Sequence, residues 1–173
     1  MNKQLIILFL VFIPFSLFGE ITFPESMYVV DVETGFKIML GLPPAFVEKE
    51  YGTPKEKKLQ HKFSSGREDW IITYDDFVMR YETRNMRLTS IRITTPRFCA
   101  SSGIKIGDTL SDVIRIYGHP SYTTTNTQGE LIYLYEKVFK EINIIAEAEY
   151  TLMQFVFIHD KIIAISFYIS NAV

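Results

Sequence analysis

Ile38-Met-Leu-Gly41 followed by Tyr51-Gly-Thr-Pro54 returns as Ile104-Lys-Ile-Gly107 followed by Tyr117-Gly-His-Pro120, each residue 66 positions after its counterpart. Across residues 38–54 and 104–120 the identical pairs are Ile38/Ile104, Gly41/Gly107, Val47/Val113, Tyr51/Tyr117, Gly52/Gly118 and Pro54/Pro120, while Leu40/Ile106 and Lys49/Arg115 are close substitutes. An ungapped internal match reads as a duplicated unit, and it governs every later assignment. Matching material follows each copy: Trp70–Tyr74 answers Leu131–Tyr135 at an offset of 61, and Leu88–Ile93 answers Ile162–Phe167 at 74, so the loops between differ in length.

Each repeated residue has a mechanical reason. In the second copy Asp108 or Thr109 can cap a helix, and Leu110, Val113, Ile114 and Tyr117 fall at i, i+3, i+4 and i+7 on one apolar stripe. Gly118 permits the turn past the helix end and Pro120 prevents its resumption. In the first copy Pro43 and Pro44 suit a first turn, Val47 and Tyr51 share a face, and Gly52 and Pro54 end it. Helices this short are marginal alone and need an apolar surface to lie on.

Strands supply that surface. Phe77–Glu82 and Leu88–Ile93 read as strands around Thr83-Arg-Asn85, with Asp75-Asp76 as a tight turn after Trp70–Tyr74. Further on, Leu131–Glu136, a run ending at Ile158, and Ile162–Ile169 read as strands, with His159-Asp160 at a hairpin tip. The pattern predicts an α+β fold of two tandem helix-plus-antiparallel-sheet repeats. The expected division is a signal peptide over 1–19, unit one with an N-terminal extension over 20–98, and unit two over 99–173.

The run Ile-x-(Ile/Leu)-Gly, a helix, Tyr-Gly-x-Pro, an aromatic strand and a closing hairpin resembles the small-lipoprotein family of the outer-membrane barrel-assembly machinery. In duplicate it is similar to the beta-lactamase inhibitory proteins. The resemblance covers about 130 residues and implies a non-enzymatic exported module whose sheets or hairpin tips grip another protein. The chain departs from the lipoprotein family in having no cysteine after its N-terminal apolar stretch, and no inhibitory contact residue can be carried over.

The 173 residues carry 18 Lys and Arg against 20 Asp and Glu, a net charge of −2 that gives no field for drawing in a polyanion and argues against nucleic acid as a partner. Lys3 followed by the uncharged Leu5–Phe18 has the layout of a secretory signal, removed near Gly19. As a helix that stretch would span about 21 Å, short of the roughly 30 Å hydrocarbon core. The expected location is therefore outside the cytoplasm, periplasmic or secreted. The competing reading is a tether through an uncleaved signal.

Little in the chain points to catalysis. Cys99, the single cysteine, can form no internal disulfide and has no histidine near it in sequence to activate it. His61, His119 and His159 sit far apart without metal-ligand spacing, and Asp75-Asp76 has the composition of a turn rather than of an acid-base pair. No phosphate loop and no nucleophile elbow occur. The expectation is no enzyme, no cofactor and no metal. Lys55-Glu-Lys-Lys58 with Lys62 reads as a solvated loop.

Function is expected instead from apolar surface. Phe77, Met79 and Tyr81 should face inward and Val78, Arg80 and Glu82 outward. In the second unit Ile163, Ile165, Phe167 and Ile169 should turn inward, and the outward face is expected to carry Ile162, Ala164 and Tyr168 beside Tyr133, Tyr135, Gln154 and Val156, with Arg80 and Arg92 adding polar selectivity and His159 and Asp160 at the tip. The expected partner is another protein; the alternatives are packing against the chain itself or a second copy, as in a self-associating envelope protein.

Overall fold

The computed structural model describes residues 28–62, 67–138 and 149–171. The expected signal peptide, residues 1–19, lies outside them.

Alternating apolar residues do form strands, and these pair into two antiparallel sheets. The small sheet has the order β2 (Lys37–Met39), β1 (Tyr28–Asp31), β7 (Phe98–Ala100). The large sheet begins with the meander β3 (Glu56–Lys62), β4 (Arg67–Thr73), β5 (Phe77–Glu82) and β6 (Leu88–Ile93). It continues from β6 into β11 (Lys161–Asn171), β10 (Glu149–Ile158), β9 (Leu131–Val138) and β8 (Tyr122–Thr125). Two helices of eight residues, α1 (Pro44–Tyr51) and α2 (Leu110–Tyr117), complete the described elements.

The expected α+β architecture of two tandem helix-plus-sheet repeats is corrected by this topology. The described protein is mostly β. The two meanders are joined by the β6–β11 ladder, Ile165 opposite Ile93 and Phe167 opposite Ile91, so backbone hydrogen bonding runs through the join and makes one eight-stranded sheet. Their inner faces merge into one hydrophobic core in which Ile72, Met79 and Ile91 lie with Phe155, Phe157, Ile165 and Phe167. Two helices of about two turns each are too short to build a layer over a sheet of this width. What the sequence match does capture is local backbone: Gly52 (φ 76°, ψ −155°) and Gly118 (φ 77°, ψ −158°) end the two helices in a region essentially reserved for glycine.

The helices start differently. α1 opens on Pro43 with Pro44 at its first position and no side-chain cap, whereas Thr109 and Asp112 form a reciprocal capping box on α2. Both lie on the aromatic face. Tyr51 packs edge-on against Phe77, with ring centres 5.1 Å apart, and Tyr117 lies 5.5 Å from Phe155. The small sheet joins them there through Phe98, 5.1 Å from Phe77.

Candidate functional site

Strand register decides which side chains share the other face of the large sheet, because residues directly opposite in neighbouring strands point the same way. One crosswise row reads Thr73, Val78, Arg92, Ser166, Gln154, Leu134 and Tyr122, one residue each from β4, β5, β6, β11, β10, β9 and β8. A second row brings Ile71, Arg80, Ser90, Tyr168 and Leu152 side by side. A third places Ala164, Val156, Ile132 and Thr124 together. Both helices and the small sheet occupy the opposite, aromatic face; among the described residues no helix is laid across this one.

The face is graded rather than uniform. Its centre is closed by Ala164, Val156 and Ser166, which are 0%, 2% and 5% exposed. Around them Ile132, Leu134, Leu152, Gln154 and Tyr168 are half-buried, and Arg92, Val78 and Tyr122 are exposed. Arg80 donates to the buried Asp69 carboxylate at 3.2 Å, so its charge is already engaged. Arg92 makes no ion pair among the described residues.

Of the residues expected here, Arg80, Arg92, Gln154, Val156 and Tyr168 do share this face, although Val156 is buried and so not available for contact. Tyr133 and Tyr135 do not belong to it. They stand opposite Phe155 and Met153, on the core side. Tyr133 packs against Phe157 at 5.5 Å, and Tyr135 packs against Phe155 at 5.8 Å while its hydroxyl donates to the Gly118 carbonyl at 2.9 Å. Burial holds the Tyr135 hydroxyl protonated, its pKa pushed up to about 12. Ile162, expected on the outer face, is also in the core: the ladder slips one residue between Val156 and Phe157, so Ile163 is extra and Ile162 turns inward.

His159 and Asp160 form the expected two-residue tip, with φ of 48° and 64°. The tip is fastened rather than free: Asp160 Oδ1 accepts the Leu110 amide at 3.3 Å, and Gly107 and Asp108 exchange backbone bonds with Ile162. Sequence reasoning missed Leu152 and Tyr122, and it missed Ile132 and Leu134 because Leu131-Ile-Tyr-Leu-Tyr135 is apolar at every position and has no alternation to read.

The strongest ionic constellation lies elsewhere, between the small sheet and α1. Asp31, fully buried, accepts from Arg97 Nη2 at 2.7 Å and Nε at 3.1 Å, from the Tyr51 hydroxyl at 3.0 Å and from the Glu33 amide at 2.9 Å. Burial alone would raise the carboxyl pKa, but the donors from Arg97, Glu33 and Tyr51 outweigh it and leave it below the ordinary value. Arg97 also lies 5.5 Å from the Tyr51 ring and 3.4 Å from Asp76. Every partner is internal to the fold, which suits a brace between elements. Cys99, on β7, is half-buried, and burial pushes its thiol pKa up, opposite to what an activated nucleophile needs. Among the described residues no three His, Cys, Asp or Glu side chains are grouped as metal ligands, and no helix is long and apolar enough to cross a membrane.

No protein-family model and no curated protein matches the chain. Among solved structures it is similar to a cysteine-rich secretory protein from Staphylococcus aureus, at 11% identity over 75% of this chain and 44% of that one, with a TM-score of 0.44. It is also similar to an extracellular protein containing an SCP domain from Bacillus anthracis, at 9% identity over 75% of this chain and 43% of that one, with a TM-score of 0.46. The chain spans less than half the length of either protein. A candidate beta-lactamase inhibitor protein from Streptococcus mutans matches at 12% identity over 79% of this chain and 86% of that one, with a TM-score of 0.29. One neighbour of the inhibitor kind is thus found; no family match supports the small-lipoprotein resemblance. Likeness at these scores carries no functional argument.

Proposed function

We propose that the chain is an exported, non-enzymatic binding module that holds another protein on the outer face of its eight-stranded sheet. The observation that carries this reading is the crosswise row in which exposed Arg92, without an ion pair among the described residues, stands among Val78, Gln154, Leu134 and Tyr122, with Tyr168 in the next row. Arg and Tyr above an apolar floor, with a closed centre, is the composition that concentrates binding energy in protein interfaces. The charge of Arg92 selects a partner that presents a carboxylate within apolar surface. Export rests on Lys3 and the uncharged Leu5–Phe18.

The test is affinity capture from the host's envelope fraction with the native chain and with Arg92→Glu and Tyr168→Ala, folding being checked by thermal unfolding. A specific partner kept by the native chain and lost by both variants supports the reading. Equal capture by all three chains rejects this face. An N-terminus beginning at Met1 on protein isolated from the host would overturn signal removal.

A further inference from the structure

Among the described residues two strands of the large sheet, β3 and β8, have a neighbour on one side alone, and these two edges are built differently. β3 carries Lys57 and Lys58 beside Glu56, with Lys55 just before it, and lysines along an edge are a known block to pairing with another chain. β8, Tyr122-Thr-Thr-Thr125, has no charge and no proline, and all four side chains are exposed. We propose that β8 pairs antiparallel with the β8 of a second copy of this chain, extending the sheet across a two-fold axis. The pairing is separate from the contact proposed for the sheet's outer face.

Hydrogen-bond phase fixes how the copies meet. The Asn126 amide donates to the Glu130 carbonyl at 3.0 Å, and hydrogen-bonded pairs alternate along an antiparallel ladder. Thr124 opposite Ile132 and Tyr122 opposite Leu134 are therefore the bonded pairs within the chain, and Thr123 and Thr125 turn their N–H and C=O groups outward. Of the symmetric antiparallel pairings this phase allows within β8, the one that engages both outward residues sets Thr123 against Thr125 of the second copy, with the axis through Thr124. Threonine pairs favour such a ladder, and no like charges are brought together. Two four-residue edges bury less than a standard interface of about 1,600 Å², so the dimer forms only at micromolar concentration or above.

The experiment uses the full chain in a mild nonionic detergent. At a non-bonded antiparallel pair the Cα atoms are about 4.5 Å apart, within disulfide reach. In a Cys99→Ala background, Thr124→Cys should give at least tenfold more disulfide dimer than Gln60→Cys on β3; equal or absent cross-linking overturns the proposal. In sedimentation, the native chain should approach twice its monomer mass as concentration rises to about 100 µM. A monomer throughout overturns it. Thr123→Pro removes an outward N–H without breaking the β8–β9 ladder, and Thr123→Lys places a charge at the same contact; either one, with its unfolding midpoint unchanged, should abolish the mass increase. A dimer that survives both variants places self-association elsewhere and overturns the proposal. Arg92→Glu should leave the dimer intact, so the dimer and the face contact can fail independently.

Discussion

The two faces of the eight-stranded sheet are built from the same strands, yet among the described residues only one is covered by helices and the small sheet. On the inner face Phe77 meets α1 and the small sheet and Phe155 meets α2, and tyrosines there serve structure: Tyr51 binds Asp31, Tyr117 lies 2.5 Å from the Ser102 hydroxyl, and Tyr135 reaches the Gly118 carbonyl. On the outer face Tyr168 and Tyr122 have no such ring or carboxylate partner among the described residues. For the strand tyrosines, Tyr135 against Tyr168 and Tyr122, the role follows from the parity of the position in the strand, and substitutions on the two faces should separate stability from binding.

The largest effect is expected at the centre of the inner face. Phe155→Ala removes a fully buried ring that touches Tyr117 and Tyr135, and should cost about 3–5 kcal/mol in denaturant unfolding. Next comes Asp31→Asn, which leaves the Arg97 guanidinium without its buried carboxylate and should cost about 3 kcal/mol at neutral pH. Because the folded carboxyl pKa lies below the unfolded value, the stability from its ionised form is fully present above the unfolded pKa near about 4 and is lost as pH falls through the folded one. The gap between native and Asp31→Asn unfolding midpoints should therefore narrow below about pH 4; a gap constant from pH 7 to pH 2 would remove Asp31 ionisation from the account. Thr109→Ala deletes the α2 cap and should cost about 1 kcal/mol, with no corresponding cap on α1 to lose. Smallest of all, Arg92→Ala on the outer face should change stability by less than about 0.5 kcal/mol. A large loss there would mean that Arg92 braces the fold.

Much of this arrangement was legible in the sequence, for reasons that can be assigned. Thr109, Gly52 and Gly118 announced the helix ends because caps and positive φ demand particular residues, and Phe77-Val-Met-Arg-Tyr81 announced its inner side by strict alternation. The joining of the meanders was not legible, since the β6–β11 ladder links residues more than seventy positions apart and depends on no local signal. Nor was the facing of Tyr133 and Tyr135: in an all-apolar strand both faces look alike until the partner's register is known. The bulge at Ile163 then moved Ile162 across the sheet, which no composition at Ile162-Ile163 could indicate. Asp31 and Arg97 are 66 residues apart and came together only in the fold.

The most direct measurement of the central claim is photo-cross-linking in the native host, with a photoreactive side chain replacing Gln154 on the outer face and, for comparison, Phe46 on the exposed side of α1. The account predicts a discrete adduct to a different protein from position 154, lost when Arg92→Glu is added, and none from position 46. No adduct at 154, or the same adducts from both positions, would contradict it.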